Sequence, residues 1–146
     1  MTSTRLLAMC CLLLAVVTTG CIPTKPVATD QLPEWLIGDW RGVGYQLNLA
    51  QTWSIELEVK APNSVKINYP SLECSGVWTE VRRSVDHIEL REAILQGADR
   101  CVNGGHIILT RVDQHHISYS FFEPQNGKLE AYSTLLNLEY EASKKI

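Results

Sequence analysis

After Ile37, apolar side chains recur at every second position along most of the chain. Because successive side chains of a β-strand point to opposite faces, this period predicts strands with one buried face and one solvated face. The pattern is clearest at residues 53–60, where tryptophan and aliphatic side chains alternate with serine, glutamate and lysine. The candidate strands cover residues 43–49, 53–60, 65–69, 76–82, 87–94, 106–112, 117–123 and 129–138.

In the first strand the apolar series that we expect on the buried face is Val43, Tyr45, Leu47 and Leu49. Residues 87–96 fit a strand, but their apolar side chains also follow helical spacing. Residues 132–144 are the other place where a short helix fits.

The segments between the strands are short and have turn composition. Asn126-Gly127 is a strong hairpin signal, and Pro62-Asn63 lies in another turn. Eight sequential antiparallel strands favour an all-β, up-and-down barrel, because closing the sheet removes its exposed edges. A two-sheet sandwich is the alternative. The interior of an eight-stranded barrel is either filled by side chains or holds one small ligand, so both a plugged barrel and a ligand cup remain open.

The first 20 residues have the composition of an export signal. Arg5 precedes an apolar run at residues 6–17, which is too short to span a bilayer. The small residues before Cys21 resemble the lipobox of bacterial lipoproteins, although Thr18 stands where that motif usually has leucine. The resemblance implies lipidation of Cys21 with palmitate-like acyl chains, and several such chains anchor a protein stably. The alternative is an ordinary cleaved signal followed by a chance cysteine.

These features divide the chain into a signal peptide (1–20), a lipid-anchored, proline-rich linker (21–33) and one β-domain (34–146). Ile22 stands where an aspartate would imply retention at the inner membrane. The lipoprotein resemblance therefore implies a place in the cell envelope, at the outer membrane and facing the periplasm. Without residues 1–20 the formal charge is −4, against −3 for the whole chain, because Arg5 is the only charge removed. No basic stripe is present, so nucleic acid is not an expected partner.

Cys74 and Cys101 are an even pair in an exported domain, which predicts a disulfide that ties the loop at residues 96–105 to the rim of the barrel. The run from Tyr69 to Trp78, followed by Cys101, is similar to a Tyr-Pro-Ser-Leu-x-Cys-x-Gly…Cys pattern in small secreted bacterial β-domains. That resemblance implies a β-domain with the two cysteines bonded and no known activity. The tripeptide Gly38-Asp39-Trp40 resembles the Gly-x-Trp of lipocalin-like barrels, in which the tryptophan closes the barrel floor.

Glu92 is the acidic residue of most interest, because the alternation of its strand directs it inward. A buried carboxylate needs a partner, and Arg111 or Arg41 is a candidate. Glu92 then either orients a ligand or forms a structural ion pair. The aromatic side chains either line a pocket or fill the core. The candidate binding surface consists of Tyr69, Leu72, Trp78, Glu92 and Arg100.

Signals for catalysis, metals and cofactors are weak. His115 and His116 are adjacent, so on a strand they point to opposite faces and do not predict a metal site. Recognisable catalytic and dinucleotide motifs are absent from the sequence. The sequence therefore predicts a non-catalytic envelope protein, without a cofactor or metal, that binds a macromolecular partner in an inhibitor, immunity or pilot role. The alternative is a lipocalin-like carrier of a small hydrophobic ligand, and an enzyme is the third reading.

Overall fold

The structure is a computed structural model that describes residues 31–145. The predicted signal peptide, Cys21 and linker residues 21–30 lie outside the described residues. Leu32, which falls in the predicted linker, is buried in the core, and its N–H donates to the carbonyl oxygen of Pro62 at 2.8 Å. The packed region therefore begins before residue 34. Within residues 31–145, no helix is long and apolar enough to cross a membrane.

Eight antiparallel strands form one closed barrel. Each strand pairs with the next strand along the chain, and β8 pairs with β1 to close the sheet. The strands are β1 (Gly38–Gln46), β2 (Gln51–Lys60), β3 (Ser64–Tyr69), β4 (Cys74–Arg83), β5 (His87–Gln96), β6 (His106–Arg111), β7 (His116–Phe122) and β8 (Leu129–Asn137). The predicted up-and-down barrel is confirmed, and the sandwich alternative is wrong.

Of the two segments that fit either a strand or a helix, one is a strand and the other ends in a helix. Residues 87–96 form the strand β5, whose inward side chains fill the barrel on the same period as the other strands. The short helix predicted near the C-terminus is α1 (Leu138–Ser143). The Asn137 side chain caps it by accepting hydrogen bonds from the backbone N–H groups of Glu139 and Tyr140, so the end of β8 turns directly into the helix.

The two ends of the barrel differ. We call the end where β1 begins the floor and the end where β1 ends the mouth. A 3₁₀ turn at Glu34–Leu36 covers the floor, with Leu36 fully buried. The indole N–H of Trp40 donates to the carbonyl oxygen of Leu36 at 2.9 Å and so fixes this turn to the wall. Trp40 therefore closes the floor, and Trp35, beside it, is only partly buried against the core.

The predicted buried face of β1 is wrong. Val43 is 64% exposed, and Leu47 and Leu49 belong to the turn that follows the strand. The inward positions of β1 include Gly42 and Gly44 instead. A β-carbon built on Gly44 would lie 2.7 Å or less from three ring atoms of Trp53, its direct partner on β2. The ring of Trp53 thus fills the space that a β1 side chain would otherwise take. Because Gly44 has no side chain, the sequence gives no apolar signal at this inward position.

The loop at residues 97–105 is fastened to the mouth. Cys101 is disulfide-bonded to Cys74, with Cα atoms 6.4 Å apart, which confirms the predicted pair. The Arg100 guanidinium donates to the Glu73 carboxylate and also to the backbone carbonyl oxygen of Glu73, at 3.0 Å. The Asn103 side-chain oxygen accepts from the N–H of Ile94 at 3.0 Å. Three kinds of bond therefore hold one rim loop.

Replacing Cys74 and Cys101 together with alanine is expected to lower the free energy of unfolding by about 3–4 kcal/mol, because the bond closes a loop with a sequence separation of 27. Urea unfolding followed by tryptophan fluorescence measures the change. The wild-type protein under reducing conditions is the control and should unfold like the double variant. An unchanged midpoint in the oxidised variant would contradict the structural role of the bond.

Candidate functional site

A cavity of about 90 Å³ opens at the mouth of the barrel. It lies above the packed floor half, so the interior is filled at one end and hollow at the other. Side chains from six strands and from the two tied mouth segments, residues 70–73 and 97–105, contribute to its wall. The cavity is lined by Gln46, Trp53, Tyr69, Leu72, Glu92, Arg100, Cys101, Val102, Tyr119, Phe121, Glu130 and Ala131.

Glu92 lines this cavity and is 3% exposed. Trp78 is its direct cross-strand partner and donates its indole N–H to Oε1 at 3.0 Å. The Tyr69 hydroxyl donates to the same Oε1 at 2.6 Å. Oε2 accepts no hydrogen bond from any residue that the structure describes. Glu92 is therefore held by two neutral donors through one oxygen only.

The predicted ion pair of Glu92 is wrong. Arg41 lies on the outer face of β1, where its guanidinium is 3.5 Å from the Glu56 carboxylate. Arg111 is exposed at the floor end of β6. Alternation directs Arg41 outward, and Arg111 lies at the floor end while Glu92 lines the cavity at the mouth, so neither reaches the carboxylate.

The rings of Trp53, Tyr69 and Tyr119 form the cavity wall around the carboxylate, and Trp78 packs behind them. The Trp53 ring packs edge-on against Tyr69, with centroids 5.2 Å apart, and against Tyr119 at 6.1 Å. Tyr119 also stacks on Trp78 with centroids 5.8 Å apart. The hydroxyls of Tyr69 and Tyr119 are 3.5 Å from each other. Because each ring contacts at least one other ring, this wall is well packed and its side chains have little freedom to move.

The surroundings of Glu92 favour its neutral form. Burial raises the pKa of Glu92, and the hydrogen bonds from Trp78 and Tyr69 offset this only in part. Burial also raises the pKa of Tyr69 and that of Tyr119 well above the ordinary tyrosine value, and the nearby Glu92 charge adds to both shifts. Both tyrosines therefore remain protonated donors around one carboxyl group.

The rim of the cavity adds a second carboxylate. Glu130 Oε1 accepts from the side-chain amides of Gln46 at 3.2 Å and Asn48 at 2.5 Å. Glu130 Oε2 is buried and has no partner among the described residues. The indole N–H of Trp53 is also buried without a partner within residues 31–145. Unpaired polar atoms at this depth are costly, and here they lie beside a cavity.

Four members of the predicted binding surface meet at this cavity. Tyr69, Leu72, Glu92 and Arg100 line it, whereas Trp78 lies in the core and reaches the site by its bond to Glu92. Sequence reasoning missed Gln46 and Glu130. Gln46 shares the inward phase of Gly42 and Gly44, but a polar side chain and glycines without side chains predict the solvated face. Glu130 lies one residue before the inward Ala131, so alternation alone gives no signal for it.

The histidines lie outside the cavity. His115 stacks on Tyr140 of α1 with centroids 3.5 Å apart, and His116 pairs with Asp113 at 2.8 Å. His106 bonds Glu89 at 3.0 Å on the outer face of β5. Within residues 31–145, no group of three or more histidine, cysteine, aspartate or glutamate side chains is placed to hold a metal ion.

Comparisons with known proteins support the barrel fold but indicate no activity. No family model matches the sequence, and no curated protein is similar enough to indicate a relative. Among solved structures, a redesigned β-barrel is similar with a TM-score of 0.54 and 13% identity, over 70% of this chain and 91% of that chain. A redesigned β-barrel bound to DFHBI has a TM-score of 0.53 and 13% identity, over 70% of this chain and 95% of that chain. At this identity the likeness shows the barrel fold alone.

Glu92→Gln is expected to stabilise the protein at neutral pH, by about 0.5–2 kcal/mol. Glutamine keeps an oxygen that accepts from Tyr69 and Trp78, and it removes the cost of burying a charge. Because the folded-state pKa of Glu92 is raised, its ionisation destabilises the fold as pH rises above the ordinary glutamate value of 4.5. The gain in the variant should therefore disappear as the pH falls below that value.

The measurement is urea unfolding of both proteins across pH 3 to 8, with Glu89→Gln as the matched control on the outer face of β5. Hydrogen bonds from Arg82 chiefly, and from His106, lower the pKa of Glu89, so its charge stabilises the fold above the ordinary glutamate pKa. The control should lose stability at neutral pH. Lower stability of Glu92→Gln at neutral pH would show that the charge of Glu92 supports the fold.

Proposed function

We propose that this protein is a non-catalytic binding protein whose barrel mouth recognises a protein partner and accepts one of its side chains. The observation that supports this most is the size and position of the cavity, about 90 Å³ at the mouth. Pockets that bury a drug-sized ligand measure roughly 300–1,000 Å³, so this cavity suits one side chain. A central pocket that receives a single anchor residue is the usual arrangement of a binding hot spot.

The rim around the cavity is prepared for such contact. The disulfide, the Arg100–Glu73 ion pair and the Asn103 bond hold the loop at residues 97–105 in place before any partner arrives. Ordering a loop during binding costs free energy, so a loop ordered in advance favours affinity. Val102 of this loop is 45% exposed and also lines the cavity, which gives the rim an apolar contact.

We further propose that the protein is lipid-anchored at Cys21 in the cell envelope, at the outer membrane and facing the periplasm. The export signal and the lipobox-like residues support this. Residues 31–37 enter the barrel at its floor, so an anchor on the N-terminal side would hold the floor toward the membrane. The mouth would then face away from the membrane, where a partner can reach it.

The alternative carrier of a hydrophobic ligand has less support. The cavity is smaller than a ligand cup requires, and its depth holds the carboxyl group of Glu92, which an apolar ligand would leave without a partner. A catalytic role also has less support. In the described part of the chain, the cavity lining includes no serine, threonine, histidine or free thiol that its carboxylates could activate as a nucleophile.

Val102→Arg is expected to abolish capture of the partner, because it places a long charged side chain at the cavity entrance. The matched control is Val85→Arg, which makes the same change at a 92% exposed position in the floor loop. Both variants and the wild type are used as bait in detergent-solubilised cell envelope, and captured proteins are identified by mass spectrometry. A protein recovered by the wild type and by Val85→Arg, and lost with Val102→Arg, is the expected partner.

Two results would overturn the proposal. One is a captured protein that binds all three baits equally, which would place the contact away from the mouth. The other is quenching of tryptophan fluorescence by added fatty acids at micromolar concentration, since Trp53 lines the cavity. That result would favour the carrier.

A further inference from the structure

We propose that the mouth cavity is a site for a cationic group, a guanidinium or an alkylammonium, carried by an arginine or lysine side chain of the partner. This inference rests on the proposed function and adds the chemistry of the residue that is recognised. Four features of the cavity support it: an uncompensated carboxylate at its depth, a second one at its rim, a neutralised arginine and an aromatic wall.

The carboxylate at the depth of the cavity lacks a cation. Glu92 is nearly fully buried, and its partners Tyr69 and Trp78 are neutral donors that both bond Oε1. Oε2 has no partner among the described residues, and Glu92 is part of the cavity lining. Burying a carboxylate is costly unless a positive charge pairs with it. A bound cation would supply that charge at the free oxygen.

The rim adds negative charge in the same cavity. Glu130 Oε2 is buried without a partner in the described residues, while its Oε1 accepts from two amides. Arg100 also lines the cavity, but its guanidinium is engaged by the Glu73 carboxylate and carbonyl oxygen. The local balance is therefore negative. A guanidinium or ammonium entering from the mouth passes Glu130 before it reaches Glu92.

The aromatic wall suits the same class of ligand. Trp53, Tyr69 and Tyr119 line the cavity, and the Trp53 plane is nearly perpendicular to both tyrosine rings. Aromatic rings attract a cation within about 6 Å of their centroids, most strongly where water is excluded. The walls also pack against the methylene stem of a lysine or arginine side chain. A neutral polar ligand of the same shape can pack its methylene groups against the rings, but it lacks the positive charge that the rings attract.

Cation binding should depend on pH through Glu92. Because burial raises the pKa of Glu92, the cavity holds more negative charge as pH rises through that value. The other charged or titratable groups that face the cavity are Tyr69, Tyr119, Glu130 and Arg100. The two tyrosines remain neutral here because their pKa values are raised well above the ordinary value. Binding should therefore tighten with rising pH and release a proton.

The test uses three small probes on the folded mature protein: N-acetyl-arginine methylamide, its neutral isostere N-acetyl-citrulline methylamide, and anionic N-acetyl-glutamate methylamide. Binding is followed by NMR at two indole N–H signals. Trp53 lines the cavity, and the Trp78 indole donates to the Glu92 carboxylate. The arginine probe is expected to shift both signals at millimolar concentration and at least about tenfold more tightly than the citrulline probe. The glutamate probe is expected not to bind.

Glu92→Gln is expected to weaken the arginine probe by about tenfold or more, to the level of the citrulline probe. Glu89→Gln, on the outer face of β5, should leave its affinity unchanged. Each of three results would overturn the cationic site: equal affinity of the arginine and citrulline probes, equal affinity of the arginine probe for wild type and Glu92→Gln, or no shift with the arginine probe. If Val102→Arg still abolishes partner capture in that case, the proposed function stands and only the chemistry of the recognised residue is wrong.

Discussion

The pairing of β8 with β1 is the constraint on which the rest of this structure depends. It turns an eight-stranded sheet into a closed wall, so every strand has an inner and an outer face and no edge is left to pair with another chain. Gly42 lies in this seam, where an added β-carbon would lie 2.6 Å from the carbonyl oxygen of Thr134. Because the wall is closed, a charged side chain that points inward can contact solvent only through an end of the barrel.

The two ends use the enclosed space differently. At the floor, Leu36 and Trp40 pack together and leave the interior filled. At the mouth, a rim loop is fastened by a disulfide while the space below it stays hollow. Glu92 lies at this boundary. The fold does not need its charge, because the two bonds that it accepts require only an oxygen. The proposed cation site would give this buried charge a role that the fold itself does not require.

Much of the fold is predictable from the sequence, because alternation and turn composition act locally. Both identify all eight strands, and the inward direction of Glu92 follows from the period of β5 alone. The phase of β1 was not predictable in this way. Two of its inward positions, Gly42 and Gly44, are glycines whose space is filled by Leu135 from β8 and Trp53 from β2. The apolar residue of β1 that stands out after Trp40 is Val43, which is exposed.

The site was less predictable than the fold. The partners of Glu92 come from β3 and β4, and their approach depends on the curvature of the wall, which no local pattern encodes. An arginine was the expected partner because a buried carboxylate usually takes one. The structure places two neutral donors there instead, so within the described residues no cation pairs with the carboxyl group. Glu130 reaches the rim from an outward position at the start of β8, which alternation does not reveal.

Glu92 is a buried, hydrogen-bonded carboxyl group without a cationic partner among residues 31–145. The most direct test is an NMR titration of its ¹³C-labelled side-chain carboxyl, followed together with the indole N–H of Trp78. Both signals are expected to titrate with one midpoint above 4.5, the ordinary pKa of glutamate. A midpoint at or below that value, with a Trp78 signal that does not respond, would contradict it.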